Sequence, residues 1–459
     1  MPDTTNERQR GRAYVSPSAW ALVVIGAGSV LSSLDLFVVN VAFPAIRDGF
    51  PGVTNQTMSW VISAYSIAFA AFLVPSGRIA DIYGRKRVFK AGLLVFTVAS
   101  VACAIAPGAL TLIGARGLQG LGAALMIPTS LGLLLAAYPQ ERHKQMVGIW
   151  AATGSVASAL GPILGGALVD INWRLIFIVN LFVAAPAWRL SKHLTETPIV
   201  NSAFPDVMGS LLLIIGLALL VAGISYAGDW GVTITALWSV YCGAALSLAL
   251  FVRRCLTCAS PALDLRVFAV STFTVATVGM AFFYMGFAIM LLGGSLFLTE
   301  VWRWAPMLTG AALGVGPCAA VAAALLAGRT TFSPKQLTLA AGLLFFIAGL
   351  WWYALLGAES QYFFAYLPGI LFTGAGAGIG QTGFLAGGAS ALPAHQYATG
   401  TAIINTSRQI GAAIGVAVFV AVAGTALHAG QFKTAWLLMA AFGLMATLSA
   451  LLLTVRTGD

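Results

Sequence analysis

Apolar stretches of about 20 residues, separated by short polar or charged segments, recur along the whole chain. About 20 helical residues cross the roughly 30 Å hydrocarbon core of a bilayer, so each stretch is long enough to span a membrane. The runs are continuous rather than alternating, which excludes a transmembrane β-barrel. The pattern therefore predicts an all-α polytopic membrane protein with fourteen spans, at about 20–44, 56–80, 88–106, 110–137, 145–169, 173–190, 207–227, 232–252, 271–300, 306–327, 336–356, 362–391, 398–426 and 433–454.

Composition agrees with lipid as the solvent for most of the surface. Of the 459 residues, 59% are hydrophobic and only 8% are charged, against roughly 25% charged in soluble domains. The net charge of +10 would suit nucleic acid in a soluble protein, but here the cations lie in short loops between apolar segments. We therefore expect the lipid bilayer, and no nucleic acid, as a partner.

The distribution of Lys and Arg predicts the orientation. An even number of spans places both termini on one side, and 18 of the 24 basic residues fall on that side. Four fall on the opposite side (Arg47, Arg174, Arg303 and Lys433) and two within spans. By the positive-inside rule both termini are cytoplasmic, and we expect a multi-pass protein of the bacterial inner (cell) membrane. The first apolar stretch is too long for a signal-peptide core, so it is expected to be an uncleaved span.

Two cytoplasmic segments resemble each other and suggest a duplication. GRIADIYGRKRVF (77–89) follows the second span and GRTTFSPKQL (328–337) follows the tenth. Each joins the second and third helices of a six-helix unit if spans seven and eight are set aside as an insert, a plan that suits alternating access. The predicted domains are an N-terminal tail (1–18), a six-helix bundle (19–192), a linker with a two-helix insert (193–266) and a second six-helix bundle (267–455). The insert contains no membrane-buried charge, so we expect it to lie outside the transport path.

The segment at 77–86, expected to be a loop, carries a recognisable motif, G-R-I-A-D-I-Y-G-R-K. Its glycines permit a tight turn, and an acid among cations offers a switchable latch at a helix end. A charge cluster that only sets topology would explain the cations but not the Gly and Asp spacing. The segment resembles the signature G-x-L-A-D-x-x-G-R-[KR] of the major facilitator superfamily, with Ile in place of Leu. The resemblance implies gating by Gly77, Asp81, Gly84 and Arg85, with Glu141 and Arg142 as charge-relay partners.

Further motifs extend the resemblance over nearly the whole chain. LIGARGLQGLGAA (112–124) resembles the fourth-helix motif R-x-x-Q-G, and GPILGG (161–166) resembles the fifth-helix motif of antiporters. In the latter, Gly161, Pro162, Gly165 and Gly166 suit a kink and close helix packing, although Ala157 stands where the family often has Gly. Segments 33–44, 60–65, 173–180 and 399–415 look like the fourteen-helix drug:proton antiporter branch.

This resemblance implies the major facilitator fold and a proton-coupled exporter of lipophilic or amphipathic organic compounds such as drugs. A dedicated exporter of an endogenous metabolite, antibiotic or lipid stays open. So do a gradient-driven importer and a transport-dead sensor.

Three ionisable residues fall deep inside spans, namely Asp35, Arg116 and Arg408. An unpaired charge there costs at least about 2.5 kcal/mol, so function is the default interpretation. The alternatives are a permanent Asp–Arg pair, a packing cation and a snorkelling Arg. Counting the helical rise, Asp35 and Arg116 could share a depth. We predict that Asp35 carries the coupling proton and that Arg116 sets its affinity, since a nearby cation favours the charged carboxylate.

Aromatic and amide side chains within apolar helices suit an amphipathic organic ligand, although any single one more often serves simple packing. The predicted substrate cavity is lined by Asn40, Tyr65, Gln119, Phe282, Tyr284, Asn405, Arg408 and Gln409. The sequence shows no catalytic constellation, no Walker A motif and no zinc-ligand spacing. We therefore expect no enzyme activity, cofactor or metal site, but a monomer that moves small organic molecules and protons.

Overall fold

The computed structural model describes residues 19–139, 142–197, 199, 204–227, 234–393, 396–424 and 428–453. Regular secondary structure in this part of the chain is helical throughout, and 14 of its helices are long and apolar enough to cross a membrane. The predicted number of spans is therefore confirmed, whereas the tail at 1–18 lies outside the described residues. The helices are α1 (Ala19–Asp48), α2 (Asn55–Tyr83), α3 (Arg85–Ala104), α4 (Ala109–Ala137), α5 (His143–Ile171), α6 (Leu175–Leu190), α7 (Val207–Tyr226), α8 (Ile234–Thr257), α9 (Ser271–Leu296), α10 (Pro306–Ala327), α11 (Pro334–Leu355), α12 (Leu367–Ala389), α13 (Tyr397–Ala423) and α14 (Ala429–Leu451).

Helix ends follow local chemistry where the sequence supplies a cap. The Thr54 hydroxyl accepts a hydrogen bond from the backbone N–H of Thr57 at the start of α2, and Ser333 with Gln336 forms a capping box at the start of α11. At the end of α1 the helix continues past Pro44, where the predicted span stopped, to Asp48. A proline lacks its own N–H and its ring crowds the carbonyl four residues earlier, but membrane helices tolerate both effects.

The helices pack as two groups, and the two sides of the protein are named by the ends of α1. The outer side is the side on which α1 ends, and the inner side is the side on which it begins. Helices α1–α6 contact one another, as do α9–α14. The two groups meet chiefly where α5 packs on α10 and α2 packs on α13. The plan of two six-helix bundles fits these contacts, and the boundaries at residues 192 and 266 stay predictions.

The two-helix insert lies against the line where the bundles meet. Helix α7 packs on α8 and also contacts both α2 and α13. Leu213 and Leu217 of α7 share an apolar cluster with Ala413 and Ala417 of α13. Near the inner end of the hairpin, the carboxylate of Asp206 pairs with Arg254 at 2.7 Å. The insert therefore touches both bundles, a role that its lack of mid-membrane charge did not indicate.

Candidate functional site

The centre of the first bundle holds a buried ion pair. Nη1 of Arg116 in α4 donates to Oδ2 of Asp35 in α1 at 2.6 Å, and the two side chains are 2% and 1% exposed. The structure thus places the two predicted coupling residues in direct contact. A buried pair is stable only if its remaining donors and acceptors are also satisfied.

Gln119 supplies several of the remaining hydrogen-bond partners. Its Nε2 donates to Oδ1 of Asp35 at 3.0 Å and to the hydroxyl of Ser100 at 2.9 Å, while its Oε1 accepts from Arg116 Nη1 at 2.6 Å. Nε of Arg116 donates to the carbonyl of Val61 at 2.9 Å. Both carboxylate oxygens of Asp35 are therefore hydrogen-bonded, and helices α1, α2, α3 and α4 are joined at one point.

The R-x-x-Q-G motif explains this geometry. Arg116 and Gln119 are three residues apart on α4, so they project from the same face of the helix. A Cβ on Gly120 would overlap the backbone carbonyl of Tyr65, so only glycine allows α4 to approach α2 this closely. The close approach also brings the Tyr65 ring over the Arg116 guanidinium, 4.5 Å from it.

Three of the predicted cavity residues are packed away in this conformation. Asn40 is 3% exposed, Tyr65 2% and Gln119 0%. Asn40 Nδ2 donates to the carbonyl of Leu36 at 2.7 Å, and the Tyr65 hydroxyl bonds to Ser32 at 3.1 Å. These side chains therefore do not line open space here, because hydrogen bonds within their own bundle hold them in its core.

The second bundle brings together other predicted cavity residues. The Tyr284 hydroxyl of α9 donates to Oε1 of Gln381 in α12 at 3.2 Å, and the Arg408 guanidinium of α13 lies 5.5 Å from the Tyr284 ring centroid. Asn405 is half-buried one turn before Arg408, and its amide donates to the carbonyl of Thr401 at 2.9 Å.

The two remaining predicted cavity residues serve packing to different degrees. Phe282 stacks on Phe442 with ring centroids 6.5 Å apart. Gln409 is 7% exposed. Neither the ring contact of Phe282 nor the burial of Gln409 by itself indicates a ligand.

The segment predicted to act in gating differs in secondary structure from the expected loop. Gly77 and Asp81 lie within α2, and the turn consists of Gly84 alone, at φ +93°. Helix α2 continues because 78–83 contain no helix breaker, and a positive φ explains why glycine ends it. Asp81 lies 3.3 Å from Arg85, whose Nη1 also donates to the Gly132 carbonyl at 3.1 Å.

The structure describes one of the two predicted relay partners of this motif. Arg142 is exposed at the start of α5, and Glu141 lies outside the described residues. The relay stays a prediction.

Contacts that the sequence did not indicate hold the motif in place. Oε1 of Glu196 accepts from the backbone N–H of Lys86 at 2.9 Å at the start of α3, where a carboxylate interacts favourably with the helix dipole. Arg78 donates to the Ser260 hydroxyl at 2.9 Å and to the Pro261 carbonyl at 2.8 Å, which ties the end of α2 to the segment after α8. Isolated polar residues in loops carry no periodic signal, so only the structure reveals these contacts.

The glycines of the fifth-helix motif pack on two different helices. A Cβ on Gly161 or Gly165 would press on Phe37 or Val38 of α1. A Cβ on Gly166 would overlap the Pro306 carbonyl of α10. From the other side, a Cβ on Gly310 of α10 would overlap the carbonyl of Pro162.

The outer ends of the bundles are also joined by polar contacts. Nη2 of Arg47, at the end of α1, donates to Oε1 of Glu300 after α9 at 2.7 Å, while Arg303 lies 3.7 Å from the same carboxylate. Asn55 at the start of α2 donates to the Gly424 carbonyl after α13 at 3.3 Å. These bonds and the α5–α10 packing hold the outer ends together.

Comparison with known proteins gives consistent results. A family model described as Major Facilitator Superfamily matches residues 25–416. The chain is 33% identical over 424 residues to the Multidrug resistance protein Stp of Mycobacterium tuberculosis (strain CDC 1551 / Oshkosh), covering 91% of this chain and 76% of that protein. It is 31% identical over 455 residues to the Methylenomycin A resistance protein of Bacillus subtilis (strain 168), covering 95% of each.

A third relative and a solved structure complete the comparison. The Cephamycin export protein CmcT of Amycolatopsis lactamdurans is 28% identical, covering 93% of this chain and 89% of that protein. The crystal structure of a D-xylose-proton symporter superposes with a TM-score of 0.68 at 14% identity, covering 95% of this chain and 96% of that one. At that identity the likeness shows the fold.

Proposed function

The chain belongs to the major facilitator superfamily, and we propose that it exports lipophilic or amphipathic organic compounds such as antibiotics by alternating access. The relatives support export, because their names refer to multidrug resistance, methylenomycin A resistance and cephamycin export. The observation that carries the proposal is the ion pair of Asp35 and Arg116, buried within a two-bundle fold of membrane-spanning helices.

We propose that protons drive this export through Asp35. Its carboxylate is held by one cation and one amide, so protonation would remove the negative half of the pair and leave Arg116 to Gln119 and the Val61 carbonyl. The hydrogen bonds that would rearrange join four helices of the first bundle. Their rearrangement is therefore able to change the position of the first bundle relative to the second. An exporter dedicated to one endogenous metabolite would use the same device.

A susceptibility panel tests export directly. An efflux-deficient bacterial host expressing the chain should survive higher concentrations of several structurally unrelated compounds than the same host expressing Asp35→Asn. Protection against a single compound would favour the dedicated exporter. Unchanged susceptibility to every compound, together with no accumulation of any of them in inverted vesicles, would reject export.

The contacts at the outer ends support a state closed to the outside. Arg47 with Glu300 and Asn55 with Gly424 join the bundles there, and Thr406 of α13 donates to the Ala70 carbonyl of α2 nearer mid-membrane. In alternating access these contacts separate when the protein opens outward.

We propose that Asp81 acts on the balance between these states rather than on ligand binding. Its carboxylate is partly exposed at the end of α2, beside Arg85, far along the helix from Tyr65. Asp81→Asn should lower the transport rate severalfold and leave the dissociation constant of a transported compound, measured on purified protein, within about threefold. Asp170→Asn, at an exposed carboxylate near the end of α5, is the matched control. A collapse of affinity in Asp81→Asn with unchanged conformational populations would contradict the assignment.

The orientation of the chain follows from its basic residues. We propose that both termini lie in the cytoplasm of a bacterial cell and that the inner side defined above faces it. A reporter fused at Thr454 should be active in the cytoplasm, and one placed near Asp229 should be active outside. Termini on opposite sides would contradict the proposal.

A further inference from the structure

Arg408 lies near the middle of its membrane helix. It is about 17 Å along α13 from Tyr397 and about 22 Å from Ala423, at about 1.5 Å of rise per residue. Its side chain is half-buried. The guanidinium lies beside Tyr284 in its own bundle. Thr406, two residues earlier on α13, donates to the Ala70 carbonyl of α2 in the other bundle. Arg408 therefore lies close to the place where α13 meets the first bundle.

The charges at this depth do not cancel. Asp35 and Arg116 neutralise each other, and no ion pair of Arg408 occurs in the described part of the chain. The next carboxylate in a span region, Glu300, is near the outer end and already pairs with Arg47 and Arg303. The space between the bundles therefore carries one net positive charge, a costly arrangement in a membrane unless a ligand compensates it.

The surroundings of Arg408 suit a ligand with a charged head and an apolar body. Tyr284 offers a ring surface on α9, and its hydroxyl and Gln381 offer neutral polar groups. Asn405 lies on the same face of α13 one turn away. No described acidic side chain among these neighbours would attract a cation.

We propose that the exported compounds carry a negatively charged group, such as a carboxylate, and that Arg408 binds it. The proposal rests on the export function proposed above and specifies its substrate class. The guanidinium presents paired N–H donors that match a carboxylate, so the contact gains both charge and geometry. A cationic compound would meet an uncompensated like charge at the same place.

Three probes with one ring system test the charge preference: 1-pyrenebutyrate, its methyl ester and 1-pyrenebutyltrimethylammonium. Their dissociation constants would be measured by fluorescence on purified full-length protein in lipid nanodiscs. The wild type should bind the anion at least tenfold more tightly than the ammonium compound. Arg408→Gln should weaken anion binding at least tenfold and ester binding less than threefold. Arg408→Lys should keep part of the preference, and Arg253→Gln, at an exposed residue of the inner end of α8, should keep all of it.

The result that overturns the proposal is a wild type that prefers the ammonium compound, or an Arg408→Gln variant with an unchanged ratio of anion to ester affinity. If Arg408→Gln does not purify as a folded protein, the wild-type series and Arg408→Lys decide the question. Equilibrium binding does not require transport, so the two proposals fail separately. Inverted vesicles that accumulate no tested compound would reject export, whereas vesicles in which Arg408→Gln exports anions and cations in the wild-type ratio would reject only the role of Arg408.

Discussion

Asp35→Asn is expected to abolish substrate accumulation driven by an imposed pH difference, while purified protein still binds the substrate. The asparagine side chain is neutral and does not exchange a proton in the working range, so the coupling step is lost. It also turns an NH₂ group toward Nη1 of Arg116 or toward Nε2 of Gln119, both of which are donors. The measurement is uptake into inverted membrane vesicles with and without a pH gradient.

The same substitution has a structural effect that must be separated from coupling. Removing one partner of a buried ion pair costs about 3–5 kcal/mol, because the other charge stays buried without compensation. Asp35→Asn should therefore also lower the unfolding temperature. The double variant Asp35→Asn with Arg116→Gln removes both charges and should recover much of that stability. It should not recover pH-driven accumulation if Asp35 carries the proton.

Two outcomes would contradict this assignment. Recovery of pH-driven uptake in the double variant would show that the pair is only structural. Persistent uptake by Asp35→Asn vesicles would place the proton elsewhere, with Glu300 the next candidate, since its carboxylate joins the two bundles at the outer end.

The fold was predictable because the bilayer imposes a length and a composition on every span. Fourteen apolar stretches became 14 membrane-length helices, with errors at the ends such as the extension of α1 from Pro44 to Asp48. The shared depth of Asp35 and Arg116 was predictable from the helical rise, since two charges in one apolar bundle have few other partners.

Contacts between distant helices were not predictable in the same way. Arg47 and Glu300 are far apart in the chain, and nothing in a single sequence fixes the register between two bundles. Tyr65 and Gln119 were expected to line a cavity, but which face of a helix turns inward depends on close approaches such as that of Gly120 to α2. No local sequence pattern marks Glu196, because its partner is the start of α3, which is far away in the chain and is brought to it by the fold.

Gly310→Val is expected to stop transport with little loss of expression. A Cβ at this position would overlap the carbonyl of Pro162 in the other bundle, so the side chain interferes with the meeting of the bundles rather than with the packing of either one. Overpacking of a tight contact costs about 1–3 kcal/mol, and a bias of that size shifts an equilibrium by about 5- to 150-fold. The population should move toward the state open to the outside, and the transport rate should fall at least tenfold because export requires both states.

Spin labels at Ile171 and Phe363 report on this shift, since both residues are highly exposed and lie at the outer ends of different bundles. With the 5 native cysteines replaced, the distance between the labels should lengthen in Gly310→Val. Gly310→Ala should give a smaller change of the same sign, because even one added carbon meets the Pro162 carbonyl. Gly117→Val is the matched control, since a Cβ there has nothing within 4 Å, and it should leave transport and the distance unchanged. Wild-type transport by Gly310→Val at an unaltered label distance would mean that the α5–α10 contact does not close the outer side, and that the bonds of Arg47 with Glu300 and of Asn55 with Gly424 would have to do so alone.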